Sequence, residues 1–152
     1  MKIRGYVVLS SMFLIGSATA ADVWSKKSVA GPDLLPADTA FQLVSAQRDG
    51  DNVKLDWVIA PGYYLYRKRL SFEPVQPAQA HIGAPQLPKG ENVHDEHFGD
   101  TEIYRETLQA KLPLTKGAPA VQQLRVRYQG CADAGVCYPP VTRVIDVAAA
   151  PR

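Results

Sequence analysis

An all-β sandwich is the fold this 152-residue sequence predicts, and three observations carry the prediction. Short stretches in which apolar and polar residues alternate recur along the chain, the signature of half-buried strands. Turn signals separate them roughly every 8–12 residues, built largely from twelve prolines and eleven glycines. After the first twenty residues, no window of about eleven carries apolar side chains at helical spacing. The expectation is about seven to nine short strands in two packed layers.

Taken in order, the chain begins with a targeting signature. Lys2 and Arg4 precede a broken apolar run from Val7 to Ile15, and Ala18-Thr19-Ala20 forms an A-x-A site. Residues 1–20 therefore read as a secretory signal peptide cleaved after Ala20. The run is too short to span a bilayer, and no later stretch approaches about eighteen apolar residues, so no membrane span is expected after cleavage. Loss of Lys2 and Arg4 takes seventeen basic residues to fifteen, against fifteen acidic ones, so the mature charge is near zero. No basic stripe interleaved with aromatics is present, which argues against a nucleic-acid partner.

Residues 21–36 lack periodicity and carry Gly31, Pro32 and Pro36, an expected flexible arm that pins Trp24 or Leu34 and Leu35 onto a domain spanning 37–152. A strand begins at Phe41 and Leu43 and ends at the turn Arg48-Asp49-Gly50-Asp51. Val53, Leu55, Trp57 and Ile59 then alternate with polar neighbours, the clearest strand of the sequence. Pro61-Gly62 turns into Tyr63-Tyr64-Leu65-Tyr66, where Tyr64 and Tyr66 share one face and Tyr63 and Leu65 the other. Ser71–Val75 is a further strand, and His81-Ile82 a short one within a proline-rich stretch. Residues 91–100 read as a polar segment. Ile103-Tyr104 and Leu108, Ala110 and Leu112 give one or two more strands.

The two cysteines stand in Tyr128-Gln129-Gly130-Cys131-Ala132-Asp133-Ala134-Gly135-Val136-Cys137-Tyr138-Pro139-Pro140. Leu124, Val126 and Tyr128 alternate before the pair and Val141, Arg143, Ile145 and Val147 after it, so the cysteines flank the tip of a β-hairpin and can meet across it. Three readings stay open on the residues alone: a structural disulfide, a redox-active pair, or a metal-binding pair. As a staple the bond is modest, because closing about seven residues stabilises by roughly 2 to 2.5 kcal/mol. His94 and His97 with two thiols would suit a soft metal, but no helix holds that spacing on one face, and neither metal nor cofactor is assigned. Asp133 is by itself a turn residue bonding its own backbone, and its charge opposes a thiolate. No cation is evident beside either cysteine, which implies slow, docking-dependent reactivity.

This motif, residues 128–140, closely resembles the active-site hairpin of the N-terminal periplasmic domain of the thiol:disulfide interchange protein DsbD. Leu-Pro-Ala-Asp-Thr-Ala-Phe (35–41), Gly-Tyr-Tyr-Leu-Tyr-Arg-Lys (62–68) and Asp-Glu-His-Phe-Gly-Asp-Thr-Glu-Ile-Tyr-Arg (95–105) agree in order and spacing. The resemblance implies an immunoglobulin-like β-sandwich in the periplasm, with Cys131 and Cys137 as the redox pair and Cys137 forming mixed disulfides. It implies a cap loop of Asp95, Glu96, His97, Phe98 and Gly99, with Tyr64, Tyr66, Asp133 and Tyr138 near the site. A histidine, His97, stands where an aromatic cap is expected and Phe98 follows it; which of them covers the sulfurs stays open. The implied activity is passage of electrons from a thioredoxin-like donor to oxidised exported proteins. The chain reads as a free-standing carrier whose donor belongs to a separate membrane protein. The alternative is an exported immunoglobulin-like binding module with a purely structural disulfide, separable by a reduction potential below about −300 mV.

Overall fold

In the computed structural model, residues 34–96 and 98–149 are described. The signal-peptide and cleavage-site readings, the arm up to residue 33 with Trp24, and His97 lie outside the described residues.

The strands are β1 (Phe41–Asp49), β2 (Asn52–Ile59), β3 (Tyr63–Tyr66), β4 (Ser71–Gln76), β5 (Glu91–Asp95), β6 (Gly99–Tyr104), β7 (Thr107–Pro113), β8 (Gln123–Tyr128), β9 (Gly130–Ala132), β10 (Val136–Cys137) and β11 (Val141–Asp146). One helical turn, Ala37–Ala40, and a 3-10 turn, Arg67–Arg69, complete the regular structure of the described residues. Among the described residues there are eleven strands, more than the seven to nine expected. The excess comes from short pieces that no periodicity marks: β10 has two residues, and β5 is an edge strand with one apolar side chain, Val93.

Among the described residues the strands form three sheets, with orders β1-β2-β7, β11-β8-β4 and β10-β9-β3-β6-β5. Alternation does what it predicts in β2, where Val53, Leu55, Trp57 and Ile59 are all buried. They meet Leu108, Ala110 and Leu112 of β7 and Leu124, Val126 and Tyr128 of β8 in one hydrophobic core. The Trp57 ring packs edge-on against Phe72 of β4 and Tyr128 of β8, each at 6.3 Å between centroids, and so joins facing layers. Leu34 and Leu35 pack against the same core.

The five-stranded sheet presents two faces. Tyr63, Leu65, Tyr104 and Ala132 turn into the main core, whereas Tyr66, Ile103 and Cys131 form a second buried cluster on the opposite face, with Tyr64, Val93 and Cys137 against it. The split between Tyr63/Leu65 and Tyr64/Tyr66 is the one expected of a strand. The cysteine hairpin is built in two tiers. Its stem pairs β8 with β11, Tyr128 opposite Val141, while its tip pairs β9 with β10 in the five-stranded sheet. The chain crosses between sheets at Gln129, whose carbonyl accepts the Tyr66 N–H at 3.0 Å.

Gly130 makes the crossing possible. A methyl group there would collide with the Tyr64 carbonyl oxygen and lie 2.6 Å from the Phe41 ring, so only glycine lets β9 lie against β3.

Candidate redox site

The tip of the hairpin is a three-residue loop, Asp133–Gly135. The Gly135 N–H donates to the Ala132 carbonyl at 2.9 Å and Gly135 has φ +80°, a turn closed by a left-handed residue. This places Cys131 and Cys137 directly opposite each other with Cα atoms 4.0 Å apart, joined in a disulfide. Tyr64 is the partner of Cys131 on the other side, so Cys137, Cys131 and Tyr64 form one lateral row across three strands.

The two sulfurs are not equivalent. Cys131 is fully buried, whereas Cys137 is half-buried and opens on a cleft of about 320 Å³. Tyr64, Asp95, Glu96, Arg105 and Asp133 also line that cleft.

Above the row stands the β5–β6 hairpin, which contains the sequence-predicted cap residues. β5 and β6 pair from Glu91 opposite Ile103 to Asp95 opposite Gly99, and Gly99 takes φ +64° to close the turn. The expected polar segment is therefore mostly strand. Its backbone pairs with β6 although its side chains are largely exposed, which is why hydrophobic period did not reveal it. Asp95 Oδ2 accepts from the Tyr66 hydroxyl at 2.6 Å and the Tyr64 hydroxyl at 3.2 Å, and Oδ1 accepts the Phe98 N–H at 3.0 Å. The Phe98 ring packs edge-on against Tyr66 at 4.8 Å and is covered by the Arg69 guanidinium at 4.4 Å.

Tyr66 connects this hairpin to the sulfurs. Its hydroxyl oxygen lies 3.2 Å from Cys131 Sγ and 3.9 Å from Cys137 Sγ. Burial first, then the hydrogen bond to Asp95, push its hydroxyl well above the ordinary phenol range, so it stays protonated. Burial likewise raises Tyr64.

The Asp133 carboxylate pairs with Arg105 at 2.9 Å, and its backbone N–H donates to the Gly62 carbonyl at 2.8 Å. Arg105 is thus a cation in the cleft, which the sequence near the cysteines did not reveal. The signal was present only in that Arg105 ends the 95–105 stretch. Tyr138, named from the sequence as near the site, turns its side chain to the other face. It packs on Phe41 at 5.4 Å and donates its hydroxyl proton to the Leu35 carbonyl at 2.6 Å. Next to Cys137 on an extended chain, its side chain must point away from the sulfurs.

His94, exposed at the cleft's edge, pairs with Asp100 at 2.8 Å. Among the described residues no group of three or more His, Cys, Asp or Glu is arranged to hold a metal ion. Among them, too, no helix is long and apolar enough to cross a membrane.

Residues 31–149 match the family described as thiol:disulfide interchange protein DsbD, N-terminal. Thiol:disulfide interchange protein DsbD 2 of Pseudomonas aeruginosa is 42% identical over 147 residues, covering 95% of this chain and 24% of that protein. DsbD 1 of the same organism is 47% identical over 117 residues, covering 77% of this chain and 20% of that protein. The chain therefore spans a quarter or less of the length of these curated relatives. Among solved structures, the reduced N-terminal domain of Neisseria meningitidis DsbD superposes with a TM-score of 0.68 at 37% identity, over 76% of this chain and 90% of that one. The complex between the DsbD and PilB N-terminal domains from the same organism gives a TM-score of 0.65 at 36% identity, over 75% of this chain and 87% of that one. With its immunoglobulin-like sandwich and paired cysteines, the chain belongs to the family of DsbD N-terminal domains.

Proposed function

We propose that this chain relays electron pairs by thiol–disulfide exchange through Cys131 and Cys137, with Cys137 as the sulfur that partners attack. The observation carrying this is the unequal exposure of the sulfurs: Cys131 is sealed, and Cys137 opens on the cleft.

A thiolate of a reduced dithiol donor attacks Cys137 Sγ. The donor–Cys137 bond forms, the Cys131–Cys137 bond breaks, and Cys131 leaves as a thiolate. Tyr66, 3.2 Å away and held protonated, turns its O–H from Asp95 to that sulfur and stabilises the leaving charge. The donor's second thiolate then attacks its own sulfur in the mixed disulfide and frees Cys137. The donor departs as a disulfide, and this chain has gained two electrons and, at neutral pH, two protons. Running the sequence in the other direction, the Cys137 thiolate attacks an acceptor disulfide and Cys131 closes the bond behind it.

The donor is a thioredoxin-like dithiol domain and the acceptors are oxidised exported thiol–disulfide proteins. The complex of a Neisseria meningitidis relative with a PilB domain supports docking of a partner domain on this fold. The amino-terminal signature from Lys2 to Ala20 supports export to the periplasm. The loop Asp95–Gly99 serves as the cap over the pair, with Tyr64, Tyr66 and Asp133 around it.

Mixed-disulfide trapping tests the assignment. With the remaining cysteine of each variant first converted to its thionitrobenzoate mixed disulfide, the thiolate of a thioredoxin-like donor lacking its resolving cysteine should displace thionitrobenzoate and accumulate a stable adduct with Cys131→Ala and far less with Cys137→Ala. Equal capture by the two variants would overturn the role of Cys137. A reduction potential below about −300 mV for the native disulfide would overturn the carrier function itself.

A further inference from the structure

We infer that Arg105 is a positioning residue for the sulfur chemistry: its guanidinium offsets the Asp133 carboxylate beside Cys137 and ties the cysteine hairpin to the cap hairpin. The inference rests on Cys137 being the exchanging thiol and names a residue that conditions it.

Arg105 follows directly on β6. Its Nη1 lies 2.9 Å from Asp133 Oδ1, in the turn between the cysteines, and its Nε lies 3.5 Å from Glu91 Oε2 at the start of β5. Its guanidinium carbon sits 5.0 Å from the centroid of the Tyr64 ring, and Tyr64 is the cross-strand partner of Cys131. One planar, permanently charged group therefore touches the turn, the cap hairpin and the row of residues beside the disulfide.

Charge gives this arrangement its consequence. The cleft onto which Cys137 opens is lined by the carboxyl groups of Asp95, Glu96 and Asp133, by the Tyr64 phenol, and by two basic groups, Arg105 and His94. Reduction frees Cys137, and the thiolate form it needs for attack on an acceptor places negative charge among those carboxylates. Asp133 is only four residues before Cys137 in the chain and would oppose that charge if unneutralised. With side chains 36% and 50% exposed, the Arg105–Asp133 pair stabilises the fold little; its effect is the local field at the sulfur.

The test is the pH profile of iodoacetamide alkylation of the lone Cys137 thiol in the Cys131→Ala chain, in which the thiolate displaces iodide and forms a thioether. Arg105→Ala should raise the midpoint by about half a pH unit and slow alkylation at pH 7 about threefold. Adding Asp133→Asn should restore most of the loss, and Arg105→Lys should retain part of the effect, since it keeps the charge without the planar fork. No shift in Arg105→Ala, or a shift that Asp133→Asn leaves in place, overturns the inference and makes Arg105 a surface strut. Failure of the underlying site assignment reads differently: Cys137 in Cys131→Ala would then alkylate no faster than Cys131 in Cys137→Ala. Circular dichroism of each variant establishes that the sandwich is intact.

Discussion

The Tyr66 hydroxyl stands 3.2 Å from the buried sulfur of Cys131 while donating its proton to Asp95 at 2.6 Å. A group so placed can serve either acceptor without moving its ring. Tyr66→Phe keeps the ring packed against Phe98 and removes only the O–H. Reduction of the disulfide by a dithiol donor should slow roughly tenfold, near the lower end of what a hydrogen bond to a charged group contributes, with little change in melting temperature. Stopped-flow tryptophan fluorescence measures the rate, and an unchanged rate would mean that Cys131 leaves without help from the phenol.

Phe98 is the described aromatic of the cap loop, held between Arg69 and Tyr66. If this stack keeps the cap closed, Phe98→Ala should speed reduction by dithiothreitol about five- to tenfold. Arg69→Ala, which removes an exposed cation–π contact, should speed it about twofold. A Phe98→Ala rate equal to that of the wild type would transfer the cap role to His97, testable by His97→Ala in the same assay.

The domain should stand without its disulfide. Cys131 and Cys137 are six residues apart, and closing so short a loop contributes roughly 2 to 2.5 kcal/mol. The core of β2, β7 and β8 does not depend on that loop. The Cys131→Ala/Cys137→Ala variant is expected to melt cooperatively at a lower temperature, as a carrier that must fold in both redox states requires. A variant unfolded at room temperature would identify the bond as a structural staple.

His94 gives a pH signature at the edge of the cleft. Its hydrogen bond to Asp100, then the Asp100 charge, raise its pKa above the ordinary value of about 6.5. The protonated form is the one the fold favours. Any stabilisation from the pair is therefore fully present below about pH 6.5 and disappears as pH rises through the raised folded value. Titration by NMR should place the His94 midpoint above that of a free histidine, and Asp100→Asn should return it. Equal midpoints in the two proteins would show that the ion pair does not form in solution.

Much of the fold is written locally. The alternation of Val53, Leu55, Trp57 and Ile59, and of Leu124, Val126 and Tyr128, determines which side chains enter the core, because a strand has only two faces. The same rule separates Tyr64 and Tyr66 from Tyr63 and Leu65, and it turns Tyr138, next to Cys137, away from the sulfurs. The cysteine motif and its flanking turn residues determine the hairpin and the pairing across it. The tertiary structure decided what depends on partners distant in the chain. Glu91–Asp95 is a strand because β6 satisfies its backbone, although its side chains carry almost no hydrophobic period. The transfer of the hairpin from one sheet to another at Gln129–Gly130 depends on Phe41 and Tyr64 closing around a residue without a side chain. Arg105 reaches Asp133 across 28 residues, and Tyr66 reaches Cys131 across 65. Periodicity reports which face of a strand is buried but not which strands become neighbours, and the electrostatics of the cysteine pair are set by those neighbours.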